Sequence, residues 1–314
     1  MITDFSVCPY ARPAVVPGGP REGWLLRLTD VEGRVGWGDA APWPGFGPPG
    51  VDIPATLTVL GAAAVAGEVP PLAGLIGYHP AAVHAFALAW ADLVAQRRHC
   101  PLAALWAHPP AKSVRTHVLV AGPADAAAAV ADGATTLKIK LGRRPLAEDL
   151  DRVARVRAVA PDAALRLDIN GRWHLAQAEA AFDALSAHDP SFVEQPLAAA
   201  DFAGHARLGA RFEVPIALDE SVLVDADAAI EVASVVVVKP MFHGAIEATL
   251  ELAARARGRG KSVCLTHALG SAIERAGAVH LAAALADGAV HGVGPPSRGD
   301  RLPVPTGPGL GVSP

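Results

Sequence analysis

Lysine is scarce in this 314-residue chain: five of its 27 basic residues, at Lys112, Lys138, Lys140, Lys239 and Lys261. Arginine fills every other place where a plain cation suffices. Arginine keeps its proton in a protein and lysine can give one up. A retained lysine therefore marks a place to look for proton chemistry, and three of the five lie in apolar, strand-like runs. Cysteine is scarce too. Cys8, Cys100 and Cys264 are odd in number and far apart, which excludes a disulfide frame or a cysteine zinc site and points to buried thiols in a reducing compartment. No run of eighteen apolar residues is present, so no membrane-spanning helix is expected. The stretch Met1–Tyr10 has neither a basic n-region nor an apolar h-region, so no secretory leader is read there and the cytoplasm is the expected location. A basic run is also missing, and the net charge is −4, which makes nucleic acid a poor partner. The pattern carries no signal for oligomeric state.

What is present is apolar material for a sizeable core: 51% hydrophobic residues against 18% charged, far from the composition of disordered chains. Short apolar runs at 116–121, 136–141, 164–169, 191–193, 214–218, 235–238, 262–265 and 289–293 read as strands. Stretches at helical spacing lie between them, such as 145–160, 175–187 and 245–257. Strands alternating with helices make parallel βαβ units. Eight strands and about seven helices predict an α/β chain whose main body is a TIM-like (β/α)7β barrel, with a doubly wound open sheet as the alternative. The first 105 residues differ. Segments 24–28 and 34–37 read as an antiparallel hairpin and 81–98 as a helix. The expected organisation is an N-terminal α+β capping domain over residues 1–105, the barrel over 106–298, and a Gly/Pro-rich tail over 299–314 that returns to the capping domain and completes it.

The strand ends carry the chemistry. Asp168, Glu194 and Asp219 each end an apolar run, and Lys239 follows Val235–Val238. Counted from Asp168, the intervals are 26, 25 and 20 residues, about one βα unit each, so consecutive parallel strands bring these groups to one C-terminal rim, where barrel active sites lie. Three converging carboxylates repel one another unless a cation joins them. A hard divalent ion, Mg2+ with Mn2+ as its substitute, is the expected partner, and no Cys/His set competes for zinc. In Thr136-Leu-Lys-Ile-Lys-Leu-Gly142 the alternation of a strand puts Lys138 and Lys140 on one face. Their proximity and partial burial are expected to lower a lysine pKa toward the working range of a general base. The lysine pair falls on strand two and Lys239 on strand six, opposite each other around an eight-strand ring. A substrate carboxylate held between them is set up for loss of the proton on the adjacent carbon.

Taken as a set, the Lys138-x-Lys140 strand, Asp168-x-Asn170, Glu194-x-Pro196, Asp219-Glu-Ser221 and Lys239-Pro240 resemble the motifs of the enolase superfamily in its muconate-lactonizing branch, where a lysine base works with Mg2+. Within the branch the chain looks most like the o-succinylbenzoate synthases of menaquinone synthesis. Gly36-Trp-Gly-Asp-Ala-Ala-Pro-Trp-Pro-Gly-Phe-Gly47 is similar to their capping loop. The resemblance implies a lyase acting on a small-molecule carboxylate, with Lys140 as the base that also returns the proton to the leaving hydroxyl. It further implies Lys239 across the ring, Lys138 tuning Lys140, and Asp168, Glu194 and Asp219 on the metal. Arg166, Asn170, Glu220 and His267 are expected behind the ligands or against the substrate, and Trp43, Pro44, Gly45 and Phe46 as a water-excluding lid. Met241–Gly244 is expected to shape the pocket. Sister enzymes racemise N-acylamino acids with the same two lysines, which keeps a racemase as the alternative, and a barrel that binds without turnover is the third. Residues 258–262 mimic a phosphate loop but precede a strand, and are read as a turn.

Overall fold

A computed structural model of the chain describes residues 1–13, 20–43, 46–48, 50–72, 77–294 and 299–314. The chain opens with an antiparallel sheet of β1 (Ile2–Arg12), β2 (Arg21–Asp30) and β3 (Val35–Ala40), in that order. Helices α1 (Ile53–Ala66) and α2 (Pro80–Arg97) follow. The expected hairpin is the middle of β2 and β3, and it turns through Gly33 at φ +77, which a residue without a Cβ adopts at no steric cost. Helix α1 starts at Asp52, whose side chain accepts from Ala55 N at 2.9 Å, and stops at the left-handed Gly67. Helix α2 lies directly on β3. A methyl on Gly38 would sit 1.8 Å from Ala85 O, and one on Gly36 2.2 Å from Ala89 O. The Gly-Trp-Gly stretch read as part of the lid is thus strand, kept side-chain-free so that α2 can approach; the lid segment begins only after Ala40. The expectation of buried thiols is also corrected: Cys264 is buried, but Cys8 on the outer strand β1 is exposed.

The larger part runs β4 (Ser113–Thr116), β5 (Val118–Val120), α3 (Pro123–Ala131), β6 (Thr136–Lys140), α4 (Leu146–Val159), β7 (Ala164–Asp168), α5 (Leu175–Leu185), β8 (Pro190–Glu194), α6 (Phe202–Arg211) and β9 (Ile216–Leu218). It continues with α7 (Glu220–Val224), α8 (Ala226–Val232), β10 (Val235–Val238), α9 (Ile246–Gly258), β11 (Ser262–Leu265), α10 (Ala272–Leu285), β12 (Val290–His291) and β13 (Arg301–Pro303). Strands β5 to β11 are parallel neighbours in chain order. Strand β12 joins β11 through a Thr266–Gly292 bridge and pairs with β4 on its other side, and β4 runs into β5 after one residue, His117. The ring therefore closes as a barrel, which removes the open-sheet alternative. Strand one is broken in two where a single run was expected. Residues 259–261 are the turn from α9 to β11. In the tail, β13 pairs antiparallel with β4, while Leu102 N donates to Gly309 O and Leu310 N to Asp92.

Alternation in each strand sorts residues into two packed groups. Outward side chains, including Leu137, Ile139, Leu165, Leu167, Val193, Val236, Val238, Val263 and Leu265, join one large cluster with the helices. Inside the barrel, Phe192, Ala217, Val237 and Cys264 form a small separate cluster. The four consecutive valines of β10 serve both: Val236 and Val238 face the helices, Val235 and Val237 the interior. Burying each such side chain contributes roughly 1.5–3 kcal/mol. Above that apolar floor the interior turns polar.

Candidate active site

The barrel register sets the rim. Lys140 stands beside Asp168 across β6 and β7, and Asp168 beside Glu194 across β7 and β8. Asp219 and Lys239 follow the ends of β9 and β10. All five, with Lys138, line one cavity of about 290 Å3 together with Asn170, Glu220, His267, Trp43 and Phe46, a volume suited to a small molecule.

Each acid is turned onto an ammonium group. Lys138 Nζ donates to both Glu194 oxygens at 2.9 and 2.7 Å and lies 2.9 Å from Asp168 Oδ2. Lys140 Nζ donates to the same Asp168 Oδ2 at 2.9 Å and to Asn170 Oδ1 at 2.8 Å. Lys239 Nζ donates to Asp219 Oδ2. The lowering expected for the Lys138/Lys140 pair is corrected at Lys138. Burial pulls Lys138 down, but Asp168 and Glu194 outweigh it and its pKa is raised. Lys239 is likewise raised: burial lowers it, and Asp219, Glu220 and Glu194 overcome that. The expectation weighed lysine against lysine and left out the carboxylates facing both. Burial and then the charge of Asp168 push the Glu194 carboxyl up, with Lys138 opposing. Glu220 rises to about 7 through burial and the neighbouring Asp219, and its Oε2 is buried without a partner among the described residues.

With the acids drawn apart onto lysines, the described residues contain no group of three or more His, Cys, Asp or Glu side chains close enough to hold an ion. The donor chemistry nevertheless fits a hard divalent cation: three carboxylates line one cavity, burial and the charge of Asp168 push the Glu194 carboxyl up, and the unpartnered Glu220 oxygen adds to the demand for positive charge.

Two residues hold this rim in place: Gln195, which had no sequence signal beyond adjacency, and Asn170, expected from the Asp168-x-Asn170 motif. Gln195, fully buried with φ +44, accepts from Asp219 N at 3.0 Å and Ser221 N at 3.1 Å and donates to Ser221 Oγ at 2.7 Å. It fixes the chain on both sides of Glu220. Asn170, also left-handed at φ +52, bridges Lys140 and Glu220. A residue other than glycine held there costs on the order of 1–3 kcal/mol, which the surrounding bonds must offset.

Arg166 does not reach the cavity surface. It lies inside the barrel, donating to Val290 O at 2.8 Å, with Nη1 3.2 Å from His117 Nδ1 and 3.4 Å from Cys264 Sγ, and its guanidinium stacks 4.8 Å from the Phe192 ring. His267 lines the cavity with Nδ1 3.6 Å from Glu274 Oε2. Glu274 also accepts from Ala268 N and Gly270 N. Burial raises its carboxyl, yet His267 and the Ala268 N–H hold it below its usual value.

The capping domain grips this same loop. Trp43 Nε1 and Arg21 Nη2 both donate to Ala268 O, and the Arg21 guanidinium covers Trp43 at 4.0 Å. Phe46 packs 4.8 Å from Phe242 and lies 5.4 Å from Lys239 Nζ. Pro44 and Gly45 of the expected lid lie outside the described residues. Met241 and Phe242 are corrected: they do not line the cavity but are buried in the capping domain's core cluster, where Met241 Sδ accepts from Ala41 N at 3.3 Å and Phe242 packs on Phe46, which does line it.

Residues 123–314 match the family described as enolase C-terminal domain-like. The o-succinylbenzoate synthase of Mycobacterium tuberculosis is 36% identical over 212 residues, covering 63% of this chain and 61% of the relative. That of Thermobifida fusca is 37% identical over 180 residues, 55% of each chain. The chain thus spans less than two thirds of the length of these curated relatives. In fold it is similar to the L-Ala-D/L-Glu epimerase of Bacillus subtilis, with a TM-score of 0.87 over 99% of this chain and 98% of the other, at 24% identity.

Proposed function

The chain belongs to the enolase C-terminal domain-like family, and from that premise we propose that it is a Mg2+-dependent dehydratase converting 2-succinyl-6-hydroxy-2,4-cyclohexadiene-1-carboxylate to o-succinylbenzoate. The observation that carries the reading is one cavity in which Lys140 and Lys239 flank three acids from opposite sides of the ring. The likeness to two o-succinylbenzoate synthases supports the choice of substrate.

Lys140, as the free amine, takes the proton from the ring carbon bearing the carboxylate. The electron pair left behind forms a double bond to the neighbouring carbon. The hydroxyl on that carbon leaves as water, protonated on the same face by the ammonium Lys140 has become, and the ring becomes aromatic. Lys140 ends as it began. Lys239, kept charged by the acids around it, steadies negative charge from the opposite side. Lys138, held by Glu194 and Asp168, keeps a second positive charge beside the base for the substrate carboxylate. Asp168, Glu194 and Asp219 would hold Mg2+, or Mn2+ in its place, which when bound supplies positive charge for the substrate carboxylate. Trp43 and Phe46 cover the cavity and keep water from the reacting carbon.

A second reading, an N-acylamino acid racemase, follows from the same opposed lysines, one removing a proton and the other delivering it to the opposite face. One assay series separates the two. Loss of the cyclohexadiene absorbance only when Mg2+ is present supports the dehydratase. Rapid α-deuteration of an N-succinylamino acid in D2O, with inversion, supports the racemase. Neither reaction at a useful rate would sink both.

A further inference from the structure

The cavity wall formed by β11, β12 and the break between β4 and β5 carries no carboxylate and no lysine among its described lining residues: His117, Leu119, Thr266, His267, Gly292 and Gly294. His117 occupies the break, its N–H donating to His291 O at 3.2 Å. Behind it, Arg166 Nη1 approaches Nδ1 at 3.2 Å. A guanidinium has donors only and stays charged, so Nδ1 is the acceptor and the ring proton sits on Nε2. Arg166 is itself pinned by Val290 O, Cys264 Sγ and the Phe192 face, so this assignment is fixed by packing. Burial, then the positive charges of Lys138 and Arg166, keep His117 well below its ordinary pKa and the ring neutral. Nε2 has no hydrogen-bond partner among the described residues and is not among their enclosed, unpaired atoms, while the residue lines the cavity. A second observation lies next to it. The Thr266 hydroxyl, on a residue 7% exposed, is buried without a partner. Gly292 joins the two: a Cβ there would stand 2.7 Å from Thr266 Cγ2 and 2.9 Å from His117 Cε1.

We propose that His117 is a substrate-binding residue, its Nε2–H donating to an acceptor oxygen on the substrate's tail, and that this wall selects substrates carrying a second carbonyl or carboxylate. The proposal rests on the dehydratase reading, in which that tail is the succinyl chain. The site divides accordingly: the charged half takes the ring carboxylate, and the neutral half reads the tail.

The test is calorimetric binding of o-succinylbenzoate and of benzoate, which lacks the tail, to the Mg2+-loaded enzyme. Wild type is expected to prefer the tailed ligand. His117→Phe should reduce that preference by about fivefold to tenfold, the worth of one hydrogen bond, with benzoate affinity unchanged within a factor of about two. His117→Gln, whose amide nitrogen can reach the Nε2 position, should restore it. The methyl ester of the distal carboxylate identifies the acceptor: retained preference points to the ketone, lost preference to the carboxylate. Nitrogen-15 histidine spectra of the free enzyme should show a neutral ring protonated on Nε2. A ring protonated on Nδ1, or equal effects of His117→Phe on both ligands, would overturn the proposal. If wild type forms o-succinylbenzoate but His117→Phe leaves tail preference intact, only this proposal fails. If wild type neither forms nor binds it, the activity reading fails as well.

Discussion

The two halves of the cavity wall differ in kind. From β6 to β10 the rim is charged, with Asp168, Glu194 and Asp219 each held by an ammonium group from another strand. From β11 round to β5 it is neutral, small and hydrogen-bonding, and the capping domain fastens its loop through Ala268 O and Ser271 N. The charged half is self-consistent inside the barrel. The neutral half depends on a second domain. Proton chemistry that many carboxylates share fits the first, and discrimination among those carboxylates fits the second.

The largest expected effect comes from breaking the charged half. Lys140→Ala and Lys239→Ala should each lower turnover by about 10³-fold or more, with Mg2+ affinity by titration little changed. Full turnover in either variant would remove the two-lysine mechanism. Gln195→Ala sharpens the same half from behind. Its side chain fixes the Asp219 and Ser221 amides, so Mg2+ affinity should fall by about 10- to 100-fold while the circular dichroism of the fold persists. On the other half, Asp39 of β3 accepts from Ser271 N at 2.6 Å and from Tyr10 Oη, and burial above all lifts its pKa from 3.8 to about 6. An acid whose folded pKa lies above its unfolded value binds its proton more tightly in the folded state. Its contribution is full below pH 4 and is lost as pH rises through about 6. Unfolding free energies from urea titrations at pH 4 to 8 should therefore fall more steeply for wild type than for Asp39→Asn, by roughly 3 kcal/mol. Parallel curves would place the proton elsewhere. The smallest effect is Gly292→Ala, which crowds Thr266 and His117 and should raise KM about fivefold with kcat spared.

The same division decides what was legible in the sequence. Asp168, Glu194, Asp219 and Lys239 each end an apolar run, and a charge at such a place is visible in a one-dimensional pattern. The barrel, its strand order and the opposed lysines followed from that spacing. His117, Thr266 and Gly292 carry no such contrast, and His117 is informative only because β4 and β5 break around it and Arg166 stands behind it. The start of the capping-loop stretch was misread for a related reason. Gly36 and Gly38 look like hinge residues in sequence, but what they accommodate is the backbone of α2, some fifty residues away in the chain. The Lys138 pKa was misjudged because the neighbouring like charge is visible in sequence, whereas the carboxylates that overrule it arrive from β7 and β8.

The activity proposed for this rim is a metal-dependent elimination carried by two opposed lysines. The most direct measurement follows the cyclohexadiene absorbance of the proposed substrate with purified enzyme, with Mg2+ and after chelation, in wild type and Lys140→Ala. Absorbance should fall rapidly for wild type with Mg2+ alone, and in none of the other three conditions. Equal turnover after chelation, or in Lys140→Ala, would contradict it.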